Sequence, residues 1–137
     1  MTLIVDAGPL YSLMDVADND HEAATRLLER YKGGLVLPVL AIAEVTYLLA
    51  KRLGNRAEAA LLGDIEDGLF EVEHVHDQDW PRIRELVEVY ADLPLGAADA
   101  SVIAAAERHR ATEVATLDRR HFSVVRPKHI PAFTLLP

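Results

Sequence analysis

Short apolar runs alternate with longer segments of helical period along this chain, and that alternation restricts the fold more than any other feature. Leu3-Ile4-Val5, Leu35-Val36-Leu37, Phe70 to about Val75 and Val114-Ala115-Thr116-Leu117 read as strands, with a last strand at Phe133 to Leu136. A helix starts near Pro9, and another runs from His21 to Lys32 and stops at Gly33-Gly34. Further helices span Pro38 to about Leu53, Arg56 to about Asp67, Asp77 to about Asp92 with Pro81 in the first turn, and Ala97 to about Arg110. Prolines at helix starts and glycines past helix ends mark these boundaries. Strands joined through helices need crossover connections, which makes the sheet mainly parallel and covered on both faces. The expectation is an α/β fold in a single domain over residues 1–137, with ligands at the carboxyl ends of the strands.

Composition narrows the chemistry. There is no cysteine among the 137 residues, so disulfides, thiolate metal sites and a cysteine nucleophile are excluded, and a reducing cytoplasmic setting fits. No apolar stretch is long enough to span a bilayer, and Met1-Thr2-Leu3-Ile4-Val5-Asp6 lacks the basic start of a signal peptide. A net charge of −8 argues against tight non-specific nucleic-acid binding. The charge is uneven, however. Residues 1–99 hold 8 Lys/Arg against 19 Asp/Glu, and residues 100–137 hold 6 against 3, with His109, His121 and His129 also in that tail. A polyanion would find its footing there.

Four acids are the candidate functional residues. Asp6 and Asp118 each close a predicted strand, where either could equally be a helix cap or turn residue. Glu44 lies mid-helix, and its neighbours three and four positions away are Ala41, Leu40, Tyr47 and Leu48, with no basic partner. A buried carboxylate without a partner costs several kcal/mol or stays neutral, so either a metal or its water compensates it, or Glu44 sits at an edge and snorkels its tip to solvent. Asp99 opens a small-residue helix, Ala97 to Ser101, and caps it unless Ala97 and Ala98 are already helical. Strand ends that converge would bring these acids together, and a hard divalent cation removes their repulsion. Oxygen ligands suit Mg²⁺ or Mn²⁺, which can activate water and stabilise charge on a phosphate.

Other candidates carry less. His74 and His76 bracket Val75 without a third ligand and read as ordinary polar histidines. Ser12 and Ser101 lack a Ser-His-Asp context, Gly33-Gly34 lacks the spacing and lysine of a phosphate loop, and Trp80 reads as a packing aromatic at a helix start.

The acids sit in Leu3-Ile4-Val5-Asp6, Ala43-Glu44-Val45, Ala98-Asp99-Ala100 and Thr116-Leu117-Asp118-Arg119-Arg120-His121-Phe122. In this order the chain resembles the PIN-domain ribonucleases, and within them the VapC-type toxins of toxin–antitoxin pairs. The resemblance spans the whole chain and implies an α/β/α sandwich with a parallel sheet. It implies Mg²⁺- or Mn²⁺-dependent endonucleolytic cleavage of RNA (tRNA, rRNA or mRNA), a cognate VapB-like antitoxin, and a homodimer. Carried over, Asp6, Asp99 and Asp118 are metal ligands, Glu44 acts directly or through water, and Thr116 supports the pocket. Arg119 and Arg120, directly after Asp118, are placed to contact RNA phosphates. One departure is that Ala7-Gly8 follow the first Asp where the family often has a small hydroxyl residue, so that hydrogen bond is missing or supplied elsewhere.

Two other enzyme classes fit worse. A phosphoacceptor switch wants paired acids after the first strand and a late-strand lysine, but the only lysines are Lys32, Lys51 and Lys128. A haloacid-dehalogenase phosphatase wants Asp-x-Asp, but the chain has Asp6-Ala7-Gly8. The remaining alternatives are a catalytically silent PIN-fold module that binds RNA or protein, and a housekeeping RNA-processing nuclease without an antitoxin.

Overall fold

The computed structural model describes residues 1–137. Five strands form one sheet: β1 (Leu3–Val5), β2 (Leu35–Pro38), β3 (Glu71–Glu73), β4 (Glu113–Ala115) and β5 (Thr134–Leu136), in the spatial order β3-β2-β1-β4-β5. Every neighbouring pair is parallel. Seven helices connect them: α1 (Ala7–Met14), α2 (His21–Arg30), α3 (Val39–Arg52), α4 (Asn55–Glu66), α5 (Trp80–Val89), α6 (Ala97–His109) and α7 (Arg119–Val124). The architecture is the expected α/β sandwich. From β1 the chain moves outward through β2 to β3, then returns across the sheet to β4 on the other side of β1. The direction of travel therefore reverses between β1 and β4, and the crevice outside their carboxyl ends is the topological switch point.

The central strands are buried end to end, as strands covered on both faces must be. Helix α6 is buried almost all round from Ala100 to Ala106. Four alanines in that stretch keep the helix thin enough to lie between the sheet and its neighbours α3 and α5. Helix α3 buries the stripe Ala41, Val45 and Leu49, one i, i+4 row. A charged network ties β3 to α5 and α6. Arg108 reaches Glu73 at 2.9 Å and Asp79 at 2.8 Å, and Arg82 holds Glu107 at 2.8 Å. No helix is long and apolar enough to cross a membrane.

Several expectations need correction. Strand β4 ends at Ala115 rather than Leu117, because the chain turns after Thr116 and leaves Leu117 exposed. The segment after Asp118 forms α7, which sequence reasoning left unassigned. Its six residues are too few to show a helical period, and it is anchored by the buried Phe122. The segment from Asp77 opens as a 3-10 turn over Asp77–Asp79 before α5 begins, and α5 stops at Val89. Trp80 is 50% exposed, so it is not a packing aromatic. Asp79 is the buried residue at that helix start, paired with Arg108.

Because Phe122 is the only fully buried side chain of α7, Phe122→Ala should destabilise the protein by about 3–5 kcal/mol. Urea unfolding measures this, and a loss below about 1 kcal/mol would show that α7 is not held by that ring.

Candidate metal centre

The carboxyl ends of β1 and β4 are joined by the Asp6 N–H, which donates to the Ala115 carbonyl at 2.9 Å, and by one side-chain hydroxyl. Thr116, itself buried, donates its Oγ1 hydrogen to Asp6 Oδ2 at 2.9 Å and accepts the backbone N–H of Asp118 at 3.0 Å. This is the bond that Ala7-Gly8 cannot give Asp6, supplied from the neighbouring strand. Asp6 occupies the N-cap position of α1, yet its side chain makes no cap bond. Asp118 does cap α7, its Oδ1 accepting the N–H of His121 at 3.0 Å. That leaves Oδ2 facing the crevice, 2.7 Å from His121 Nδ1.

Asp99 lies in the first turn of α6 after Ala97 and Ala98, both helical, and the N-cap is Gly96. The cap reading of Asp99 therefore fails. Its Oδ2 is 3.4 Å from His121 Nδ1. Asp99, Asp118 and His121 offer ligand atoms that all lie within 4.8 Å of one another. Glu44 is exposed, which corrects its reading as a carboxylate buried in an apolar helix. It sits one residue before Val45, off the buried stripe of α3, on the rim of the crevice.

Electrostatics register the crowding. Burial pushes the Asp6 carboxyl from 3.8 up to about 7, with Asp99 and Glu44 adding to the push while the Ala7 N–H and Thr116 oppose it. Asp99 is also raised, first by burial and then by Asp118, while His121 opposes the rise. Partial burial and the charge of Asp99 raise Glu44. Three carboxyls that resist ionisation around one crevice are what a bound cation would relieve. The donor set fits a hard divalent ion, since carboxylate oxygens predominate and the crevice opens to water.

Sequence reasoning placed Asp6, Glu44, Asp99 and Asp118 here, and the fold brings all four to the switch point. It passed over His121 as a ligand. The available signal was Asp118-x-x-His121 at i, i+3, which becomes one helix face only once α7 exists. Arg119 turns away from the crevice and donates to the backbone oxygens of Leu135 and Pro137. Arg120 is exposed and makes no hydrogen bond or ion pair. Ser12 and Ser101 lie in α1 and α6, Ser12 donating to Asp18 and Ser101 to the Ala98 carbonyl.

The same architecture occurs in known proteins. A family model described as the PIN domain matches residues 3–127, and the chain belongs to that family. It is 34% identical over 135 residues to Ribonuclease VapC26 of Mycobacterium tuberculosis, covering 98% of this chain and all of that one. The crystal structure of Mycobacterium tuberculosis VapC20, a sarcin-ricin loop cleaving toxin, superposes with a TM-score of 0.77 at 21% identity, covering 82% of this chain and 87% of that one. DNA-bound VapBC from Salmonella typhimurium gives a TM-score of 0.70 at 17% identity over 98% and 96% of the two chains.

The raised carboxyls have a consequence for stability. Between about pH 4 and pH 7 the folded state keeps an Asp6 proton that the unfolded chain has released. Stability should therefore fall as pH rises through that window and stay low above it, with Asp99 and Glu44 adding to the slope. In buffer free of divalent ions, Asp6→Asn should be more stable than the parent at pH 8, by a few kcal/mol, and little different at pH 4. Urea titrations at the two pH values check this. A parent protein that gains stability from pH 5 to pH 8 would contradict the burial of these charges.

Proposed function

We propose that this chain is a Mg²⁺- or Mn²⁺-dependent endoribonuclease and the toxin of a VapBC-type toxin–antitoxin pair. The coarse activity follows from family membership and the 34% identical ribonuclease: the chain is a phosphodiester hydrolase acting on RNA. The observation that carries the finer reading is the cluster of Asp99, Asp118 and His121 at the switch point, to which Thr116 ties Asp6.

In this reading Asp99 and Asp118 hold the cation, and Asp6, fixed by Thr116, completes its seat. The ion supplies charge stabilisation to the phosphate and lowers the pKa of water. Glu44, its carboxyl raised by partial burial and by Asp99, would orient the attacking water and take its proton. Arg120 is the uncommitted cation for a flanking phosphate, because Arg119 is occupied by β5. The active site is otherwise acidic, so RNA approaches it over the basic tail. The substrate class is cellular RNA (tRNA, rRNA or mRNA).

An antitoxin is the second half of the proposal. Superposable structures include a toxin–antitoxin complex from Klebsiella pneumoniae, and α3 and α4 present Tyr47 and Leu62 at 62% and 48% exposure. An amphipathic helix is the natural ligand for such a surface, and a partner arginine could enter the acidic crevice. On the same two helices Leu48 is half-buried, and Leu61 is fully buried and belongs to the core. A homodimer, usual for the resemblance, is proposed with it.

Asp99→Asn should lower cleavage of total RNA at least about a hundredfold, since losing a ligand exceeds the loss of a supporting contact. The fold should persist by circular dichroism, and excess chelator should reproduce the loss in the parent. Full activity in chelator would overturn the metal mechanism. Arg120→Ala should weaken RNA binding and reduce the salt slope by about one, whereas Arg119→Ala should change the slope less. Fluorescence titrations across salt concentrations compare them. Equal loss from both would place Arg119 on the RNA.

A further inference from the structure

His121 is the one nitrogen donor in a crevice of carboxylates, and its surroundings fix what its ring can do. Nε2 lies 3.2 Å from the carbonyl oxygen of Leu93. A carbonyl only accepts, so Nε2 carries the hydrogen. In the neutral ring this leaves Nδ1 with a bare lone pair. That atom is buried and has no hydrogen-bond partner, although two carboxylate oxygens face it, Asp118 Oδ2 at 2.7 Å and Asp99 Oδ2 at 3.4 Å. Two anionic oxygens so close to Nδ1 need either a proton or a metal cation between them, and a bound metal takes the place of that proton.

The spacing also suits one ion. Adjacent ligands of an octahedral cation with bonds of about 2.1 Å are about 3.0 Å apart, and the two distances from Nδ1 fall on either side of that value. Asp118 is held for the task by its cap on α7, and the same helix carries His121. The Leu93 carbonyl plays the part that a backbone acceptor usually plays behind a metal-bound histidine, fixing tautomer and ring plane.

Resting on the metal-centre reading above, we infer that His121 Nδ1 is itself a ligand of the cation, beside Asp99 and Asp118, and that the mixed nitrogen–oxygen site prefers Mn²⁺ to Mg²⁺. Imidazole is a poorer donor to Mg²⁺, which demands oxygen, than to a transition cation.

Pulsed electron paramagnetic resonance on the full chain loaded with Mn²⁺ tests this without any cleavage assay. The parent should show ¹⁴N coupling from a coordinated imidazole. His121→Asn, whose amide oxygen falls near the position of Nδ1, should lose the coupling. Its Mn²⁺ affinity should drop by at least about tenfold, and its Mg²⁺ affinity should change less, both by calorimetric titration. Bound Mn²⁺ without nitrogen coupling in the parent would overturn the inference while leaving a carboxylate site intact. So would coupling that survives in His121→Asn. Failure of the parent to bind Mn²⁺ at all, matching Asp99→Asn, would overturn the metal centre and this inference with it.

Discussion

The hydroxyl of Thr116 is the contact on which the site depends. It donates to Asp6 at the end of β1 and accepts from the backbone of Asp118 beyond β4. These two strands are neighbours in the sheet but lie more than 100 residues apart in sequence. The chain reverses its direction of travel between them, and the Asp6 N–H closes the pair with a 2.9 Å bond to the Ala115 carbonyl. The hydroxyl adds to this backbone bond by fixing the Asp6 carboxylate relative to Asp118. Its burial matters as well, because a hydroxyl screened from water holds its partners more tightly than an exposed one.

The pocket is expensive for the fold. Asp6 is buried with like charges around it, and such a group ionises only at a cost. Stability has to come from elsewhere, chiefly from the apolar core that runs through the central strands and α6. The ion pairs of Arg108 and Arg82 are a contrasting arrangement. There the carboxyls of Glu73 and Asp79 are held below their ordinary values, because hydrogen bonds from Arg108, and from His109 to Glu73, outweigh burial. The same residue types are thus paired with arginine at the edge of the sheet, and at the switch point they face one another without a lysine or arginine ion pair.

Much of this was legible in the sequence. The strands Leu3–Val5 and Leu35–Pro38 and the long helices announce themselves by period and by their glycine and proline boundaries. The four acids stood out because two follow strands and two sit among apolar or small residues. What was not legible depends on tertiary context. Helix α7 is shorter than two turns and is held by Phe122 packing on the core, so no local pattern reveals it. His121 gains meaning only when α7 turns it toward Asp99 and Asp118. Glu44 was misjudged because its apolar neighbours serve two faces of α3, one buried and one open. Trp80 shows the reverse error, a large aromatic left on the surface while the adjacent Asp79 is buried by an ion pair.

The central claim is that one divalent cation sits at the junction of β1, β4, α6 and α7. Diffraction from crystals soaked in Mn²⁺, recorded at the manganese absorption edge, locates such an ion without assumptions about activity. The account predicts a strong anomalous peak within bonding distance, about 2.1–2.3 Å, of carboxylate oxygens from both Asp99 and Asp118. A crevice without a peak at saturating Mn²⁺, or a peak bound only by other residues, would contradict it.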